Sequence, residues 1–447
     1  MKRVATLGIL IALATGMNAQ DRVLSLREAQ ELALEQSYAM RAADMDLEAT
    51  RREVKEVIAT GLPQVNANME YQQLLQIPVS LIPGEFLGME PGTFAEVQFG
   101  LEYNFTGTVT ASQLLVDGTY FVGLKAARTA VELTRNARTK TAVEVRVAVA
   151  DAYYTTLVAE ANLDILGDNL SSVEDLLRES EALYDAGLIE EQDLDQLMLN
   201  RNQIQNNIDN TERYVEIARK SLNFLLGIPL SEEVVLSDDI DKLVEINNNP
   251  AFLQRDRQLE THPDILIART NVMVQDLTLR GAKVAYYPSL NLFLTHQQNA
   301  QRNAFNFTES GQPWFPATIL GVNMNIPIFS GFQRNHNVKR MEIELEKSQM
   351  QLTQAEENLK LDQTRSMADF ENALRVWETQ KQSVALAERI SERTSVKYKE
   401  GVAGSTDLNV ARTQLLNEQG RYIDAALQLL NAKQQLDKAF NLFDEEP

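Results

Sequence analysis

The distribution of proline restricts what this chain can fold into more than any other feature. No proline occurs between Pro91 and Pro229, or between Pro327 and the final Pro447. Because proline breaks the interior of a helix, these two intervals predict two long helical regions. A continuous helix over residues 124–186 would be about 95 Å long, far longer than a globular domain needs.

Both intervals also contain positions at alternating spacings of three and four that are mostly apolar, eight of ten in the first set and nine of ten in the second. Spacing of this kind, sustained over several heptads, specifies a left-handed coiled coil, whereas an ordinary core helix drifts out of this register. The first set is Leu194, Leu197, Arg201, Ile204, Ile208, Thr211, Val215, Ala218, Leu222 and Leu225. The second set is Leu408, Ala411, Leu415, Glu418, Tyr422, Ala425, Leu429, Ala432, Leu436 and Ala439.

The segments that contain proline alternate between apolar and polar residues, at 65–72, 97–105, 290–295 and 321–326. A period of two predicts β-strands with one apolar and one polar face. The runs are near the length of a tilted outer-membrane strand. The pattern fits a soluble antiparallel sheet with one face on a core equally well. In the membrane interpretation, an aromatic girdle would include Tyr71, Phe99, Tyr103 and Phe105.

The two halves of the chain repeat each other. Residues 62–66 match 287–291 at an offset of 225, and 184–194 match 398–408 at an offset of 214. Each copy then reads helix, two strands and a long helical hairpin, which predicts two tandem structural repeats. The first repeat is 20–226, with strands at about 63–105 and a helical hairpin at 124–226. A linker follows at 227–250. The second repeat is 251–447, with strands at about 288–328 and a helical hairpin at 332–441.

Four strands are too few to close a membrane barrel, for which eight is the practical minimum. If the apolar faces meet lipid, several chains must share one barrel. A dimer would supply eight strands and a trimer twelve, and this arithmetic does not choose between them.

The first nineteen residues have the order of a secretory signal peptide. Lys2 and Arg3 precede an apolar run from Val4 to Leu13, and small residues follow up to Ala19. The pattern predicts export and cleavage near Ala19. The alternative is a buried N-terminal helix.

Composition excludes several chemistries. The chain has 42 Lys and Arg against 63 Asp and Glu, no Cys and three His. The acidic balance argues against wrapping nucleic acid, and the absence of Cys excludes disulfides and thiolate metal sites. His262, His296 and His336 fall in different predicted elements; we expect His262 at a helix boundary and His296 on a lumen-facing side. We therefore predict no enzyme activity, no cofactor and no metal site.

Together, the signal peptide, the duplicated strand–strand–long-helix unit, Ile326–Gly331 (IPIFSG) and the paired Tyr-x-x-Gly-x5-Asp-Leu turns resemble the TolC-like outer-membrane efflux proteins. The resemblance covers nearly the whole mature chain. It implies a mainly α fold with a β-barrel portion: a trimer whose chains form one twelve-stranded outer-membrane barrel and a periplasmic α-helical tunnel. It also implies two partners, a periplasmic adaptor protein and an inner-membrane transporter.

The turns of the two helical hairpins are the main candidate site. Gly187 and Gly401 predict helix C-caps between antiparallel helices. The resemblance implies that these turns are the periplasmic tips, and that Gly187-Leu188 and Gly401-Val402 contact the adaptor.

Asp193 and Asp407 follow each turn glycine by six residues. A carboxylate at this position favours a helix N-terminus. In a symmetric assembly it would also form a ring around a narrow pore, as in cation-selective channels; the two interpretations are compatible. The resemblance further implies an aperture latch between Asp193 and Tyr398. The family's latch arginine is Ala403 here, and its second aperture acid is Val410.

These features predict a passive exit duct of a tripartite efflux pump or type I secretion system in the outer membrane of a Gram-negative bacterium, without a cofactor. The acidic balance favours cations over anions in the tunnel. A duct dedicated to metal efflux gains no support from the composition. The alternative from another class is a secreted coiled-coil scaffold or adhesin with a small β-domain.

Overall fold

The computed structural model describes residues 22–187, 189–247 and 259–444. They form two compact units, each assembled from separate stretches of the chain: the first contains the described residues up to Asp46, those between Arg135 and Ile267 and those from Thr353 onward, and the second contains Leu47–Thr134 and Ala268–Leu352. Each unit draws on both predicted repeats, and the tandem division stays a prediction. The predicted signal peptide and the last three residues of the predicted linker lie outside the described residues.

The chain is mainly helical. The helices are α1 (Leu26–Gln36), α2 (Tyr38–Thr60), α3 (Gly118–Asp185), α4 (Glu191–Leu226), α5 (Ile240–Asn247), α6 (Pro263–Val284), α7 (Gln333–Lys399) and α8 (Ser405–Phe440). The strands are β1 (Arg22–Leu24), β2 (Gln64–Gln73), β3 (Val79–Pro83), β4 (Phe94–Gln98), β5 (Tyr103–Val116), β6 (Val234–Leu236), β7 (Ser289–Arg302) and β8 (Phe315–Asn325).

The long helices lie where proline is missing. The helices α3 and α4 fall in the first interval, and α7 and α8 fall in the second. The heptad positions form a buried or half-buried stripe on α4 and α8: Leu197 and Leu222 are at most 2% exposed, and Leu408 and Leu429 are fully buried. The mainly helical character predicted from the sequence is confirmed, and the division into two repeated helical hairpins stays a prediction.

The first unit has its core around Tyr153 of α3, Phe370 of α7 and Leu430 of α8, all at most 1% exposed. The Tyr153 hydroxyl lies 2.9 Å from the Leu24 carbonyl oxygen and 2.8 Å from Oδ2 of Asp238. Burial and the contact with the Asp238 carboxylate raise the pKa of Tyr153 above its ordinary value. They tie α3 to the short parallel pair of β1 and β6, which the sequence patterns did not predict.

Gly227 ends α4 with a φ of +76°. A Cβ atom at this position would lie 2.3 Å from the Gln36 carbonyl oxygen and 2.9 Å from the Ser37 Cα. Both the left-handed backbone and the close approach of the end of α1 therefore require glycine here.

The second unit contains an antiparallel sheet with the strand order β2-β5-β7-β8. The alternating runs at 65–72 and 290–295 lie in its strands, and the run at 321–326 does so up to Asn325. The predicted strand at 97–105 is wrong. A short hairpin strand, β4, ends at Gln98, and β5 begins only at Tyr103 and continues to Val116. Gly100, with a φ of +113°, interrupts the extended backbone between them.

The register gives the sheet one apolar and one polar face. Val65, Ala111, Leu294 and Leu320 are neighbours across all four strands, and Val65 and Leu320 are 68% and 69% exposed. On the opposite face, amide and hydroxyl side chains pair in the same way: Asn66 with Thr110, Thr110 with Thr295, Asn68 with Thr108, and Thr108 with Gln297. No element of the described chain covers enough of the apolar face to bury Val65 or Leu320.

His296 lies on the apolar face, which corrects its predicted place on a lumen side. It pairs across the sheet with Val109 and Thr318, and its Nδ1 lies 2.8 Å from the Thr318 Oγ1. Side chains two residues apart share a face of a strand, so His296 must follow Leu294.

Aromatic side chains gather at one end of the apolar face. Tyr71, Tyr103 and Phe105 from the strands meet Phe305 and Phe307 from the β7–β8 loop, mostly edge to face. Offset and edge-to-face contacts add stability beyond simple burial. Phe99 lies outside these strands, between β4 and β5. The part of Tyr71, Phe99, Tyr103 and Phe105 in a membrane girdle stays a prediction.

Candidate functional site: the turns of the helical hairpins

Glycine makes both hairpin turns possible. Gly187 follows α3 with a φ of +75°, and Gly401 follows α7 with a φ of +72°. A Cβ atom at either position would meet nothing within 4 Å, so the backbone conformation alone requires glycine. Val402, beside the second glycine, is 76% exposed. Leu188, beside the first, lies outside the described residues.

Asp193 and Asp407 start the return helices. Oδ2 of Asp193 accepts a hydrogen bond from the Glu190 backbone nitrogen at 3.3 Å, and Oδ2 of Asp407 accepts one from the Gly404 nitrogen at 3.3 Å. Each carboxylate thus satisfies a backbone donor that the first turn of a helix leaves unpaired, as helix-start residues do. Asp407 is exposed and Asp193 is half-buried.

Two serines join the hairpins. The Ser405 hydroxyl donates a hydrogen bond to Oδ1 of Asp193, linking α8 to α4. The hydroxyl groups of Ser180 and Tyr398 lie 3.1 Å apart and link α3 to α7. Ser180 is fully buried and Ser405 is 4% exposed. Within one chain, Asp193 and Tyr398 therefore each bond to a serine, and a latch between the two stays a prediction.

Further polar contacts accompany these two. Lys399 Nζ lies 3.0 Å from Oε1 of Glu179, and the Asn200 amide lies 2.9 Å from the Asn409 amide oxygen. The Arg412 guanidinium donates to the Ser172 carbonyl oxygen at 3.0 Å. Burial lowers the pKa of Arg412, while the charge of Glu179 acts in the opposite direction.

An apolar cluster lies among these polar contacts. Leu176 of α3, Leu197 of α4, the Tyr398 ring of α7 and Leu408 of α8 pack together, each at most 9% exposed. One residue from each of the four helices takes part. The cluster fixes the two hairpins side by side and excludes water from the Ser180–Tyr398 contact, so this contact is stronger than a surface hydrogen bond.

The sequence did not identify Ser180 and Ser405. Serine has no distinctive spacing in either hairpin, and the two residues do not correspond at the offset of 214 that relates the copies. Their partners lie more than 200 residues away along the chain. No signal in a single sequence would have found them.

The three histidines lie in different parts of the chain. The described residues contain no group of three or more His, Asp or Glu side chains placed to hold a metal ion. His262 precedes α6, as predicted, and its Nδ1 accepts a hydrogen bond from the Asp264 nitrogen at 3.3 Å. His336 lies in the first turn of α7. Among the described helices, none is both long and apolar enough to cross a membrane.

Comparison with known proteins gives consistent matches. The profile of the family "Outer membrane efflux protein" matches residues 29–228 and 255–442, which is most of the chain. A curated relative, Protein CyaE of Bordetella pertussis, is 24% identical over 207 residues, and this match covers 46% of the present chain and 42% of that relative. The chain therefore matches less than half the length of this relative.

Solved structures show the same fold. The open-state MtrE outer membrane channel of Neisseria gonorrhoeae has a TM-score of 0.70 at 19% identity, with 93% of this chain and 88% of that chain covered. The CmeC outer membrane channel of Campylobacter jejuni has a TM-score of 0.69 at 16% identity, with 93% and 85% covered. The outer membrane protein VceC of Vibrio cholerae has a TM-score of 0.68 at 16% identity, with 93% and 95% covered.

Proposed function

Since this chain belongs to the outer membrane efflux protein family, we propose that it is the exit duct of a tripartite efflux pump or type I secretion system. The protein is located in the outer membrane of a Gram-negative bacterium, with a helical portion in the periplasm. The family and fold are those of channels rather than enzymes. In this proposal the duct is passive, and the inner-membrane transporter supplies the energy.

The exposed apolar face of the sheet is the observation that carries the proposal. Met69 and Leu320 are 78% and 69% exposed, and opposite them the polar face bears amides and hydroxyls. Such a face is stable against lipid and unstable against water. A secreted scaffold would have to bury these side chains inside its own sheet, so the face argues against the scaffold alternative.

The edges of the sheet support a shared barrel. The outer strands β2 and β8 each pair on one side within the chain. An exposed strand edge in a membrane leaves backbone groups without partners, which is costly unless the barrel closes. We propose that β8 of one copy pairs with β2 of the next, and that three copies close twelve strands, as the family resemblance implies.

The hairpin turns would then form the periplasmic aperture. Asp407 would contribute a ring of three carboxylates, and Asp193 and Tyr398 would take part in holding the aperture closed. Gly187, Leu188, Gly401 and Val402 would contact the periplasmic adaptor. The exposed, apolar Val402 side chain suits such a contact.

Single-particle imaging of the detergent-extracted protein tests the assembly. The expected particle is a threefold hollow cylinder with one lumen. A water-extractable monomer or dimer without a lumen would overturn the duct and support the scaffold alternative.

Planar-bilayer recordings test the aperture. Asp407→Ala should weaken the preference for cations over anions, because three fixed negative charges are removed from the narrowest part of the duct. Asp424→Ala, an exposed acid on the same helix, is the matched control. Equal cation selectivity in both variants would show that Asp407 acts only at the start of its helix.

Cross-linking tests the adaptor contact. The chain has no cysteine, so a single introduced thiol reports on one position. Val402→Cys should cross-link to the adaptor, and Val396→Cys, an exposed position of α7, should not. Equal cross-linking at both positions, or cross-linking at position 396 alone, would contradict the assignment of the tips.

A further inference from the structure

A groove lies between the end of α6 and the first turns of α7, beside the start of β7. Its volume is about 460 Å³, and it is lined by Lys283, Tyr286, Tyr287, Asn335, Val338, Lys339 and Glu342. Leu279 and Ala282 of α6 pack against Met341 of α7 and hold the two helices side by side. This packing fixes the two helices that carry the groove, whose lining side chains are exposed except for the half-buried Val338.

The groove has an excess of positive charge. Lys283 Nζ lies 3.3 Å from Oε1 of Glu342, which offsets one of the two ammonium groups. Lys339 is exposed and has no ion-pair partner within 4.0 Å among the described residues. The phenol groups of Tyr286 and Tyr287, which are 47% and 69% exposed, add hydrogen-bond donors at the rim. Two lysines and two tyrosines around one carboxylate form a site for an anion.

The surrounding chain is basic, unlike the molecule as a whole. Residues 268–287 and 332–352 contain seven Lys and Arg against four Asp and Glu, whereas the full chain has 42 against 63. These two stretches include both sides of the groove. The local field therefore attracts anions, although the whole protein repels them.

The groove borders the end of the apolar face. Beyond β8 the apolar character continues through Ile328, Phe329 and Phe332, which are 93%, 75% and 65% exposed. Phe329 and Phe332 are in edge-to-face contact. Exposed aromatic and apolar residues beside basic residues are typical of the boundary between a bilayer and water. A free anion would make no use of these apolar neighbours, whereas an anion carried on acyl chains would.

We propose that this groove binds the phosphate of an anionic glycerophospholipid in the periplasmic leaflet, with the acyl chains lying on the apolar face of the sheet. Lys283 and Lys339 face the phosphate, and the two tyrosine hydroxyls bond to the headgroup. Glu342 limits the affinity because it competes with the phosphate for Lys283. The inference rests on the proposed placement of the sheet in the membrane.

Native mass spectrometry of the full chain in detergent tests the site, with phosphatidylglycerol and phosphatidylcholine as separate probes. We expect phosphatidylglycerol to be retained in preference to phosphatidylcholine. The double variant Lys283→Gln/Lys339→Gln should weaken phosphatidylglycerol binding roughly 25-fold, at about fivefold for each lysine near an anionic headgroup. Lys347→Gln, further along α7 and exposed, is the matched control and should bind as the unaltered chain does.

A variant that should strengthen binding distinguishes loss of the lipid site from misfolding. Glu342→Gln removes the competing carboxylate and should strengthen phosphatidylglycerol binding about fivefold. Equal retention of the two lipids, no change in either variant, or displacement of phosphatidylglycerol by millimolar inorganic phosphate alone would overturn the proposal. Conductance of the same preparations separates the two ideas: a conducting channel without lipid preference refutes only the lipid site, and a protein that forms no channel refutes the duct.

Discussion

The contact between Ser180 and Tyr398 makes the sharpest prediction about the hairpin turns. Tyr398→Phe removes one hydroxyl and keeps the ring packed against Leu176, Leu197 and Leu408. A neutral hydrogen bond contributes about 1 kcal/mol net. The freed Ser180 hydroxyl can bond to the carbonyl oxygen four residues earlier in its helix, so no large penalty for a buried unpaired group is added.

The effect multiplies in a symmetric assembly. If opening the aperture separates the two hairpins of each chain, the three copies of the proposed trimer lose about 3 kcal/mol of closed-state stability. The ratio of open to closed channels should then rise by about two orders of magnitude. Single-channel recording in planar bilayers measures this ratio as open probability.

The controls decide whether the hydrogen bond is responsible. Tyr184→Phe, a partly exposed tyrosine in the last turn of α3, should leave the recordings unchanged. The double variant Ser180→Ala/Tyr398→Phe should open no more often than Tyr398→Phe, because both changes remove the same bond. An open probability for Tyr398→Phe within twofold of the unaltered channel would show that the hairpins do not separate here.

Three further predictions concern stability, measured as thermal unfolding by circular dichroism. Gly227→Ala should lower the free energy of unfolding by more than about 2 kcal/mol, because the new methyl group would clash with a backbone carbonyl of α1. The control Gly187→Ala has a similar φ but open space around it, so it should lower the free energy of unfolding by only about 1 kcal/mol. Burial lowers the pKa of His262, so the unfolded chain binds a proton more readily than the folded chain. The free energy of unfolding should therefore fall as the pH drops below about 6.5, and His262→Gln should remove this pH dependence between pH 7 and pH 5. Tyr153→Phe should cost about 2 kcal/mol, because the buried hydroxyl contacts a carbonyl oxygen and the Asp238 carboxylate; a loss below 0.5 kcal/mol would contradict this role.

The elements that the sequence predicted correctly are those with a long, regular period. The proline-free intervals and the heptads identified α3, α4, α7 and α8 because both signals repeat over tens of residues. The short pair of β1 and β6 has three residues per strand, too few for a period to be recognised. The strand prediction at 97–105 failed because alternation continues through Gly100, and only the backbone conformation of this residue breaks the strand.

The faces of the sheet were predictable only in part. Alternation separates apolar from polar positions, but the expectation of a lumen-facing His296 did not follow its place in the alternation. It follows Leu290, Leu292 and Leu294 at even spacing and must share their face. The hydrogen bond to Thr318 lowers the cost of placing an imidazole there. Position in the strand, not side-chain polarity, decides the face.

The hairpin turns show where a single sequence stops being informative. Gly187, Gly401, Asp193 and Asp407 were identifiable because each acts locally, on a turn or on the first turn of a helix. The bonds that join one hairpin to the other depend on how each of the four helices is rotated about its own axis. The heptads show which stripe of each helix is buried, but they do not fix this rotation more finely. A serine inside that stripe can face any of three neighbours, and nothing in its own spacing selects among them. Contacts between the repeats are therefore a property of the packed structure, and variants such as Tyr398→Phe are needed to measure what they contribute.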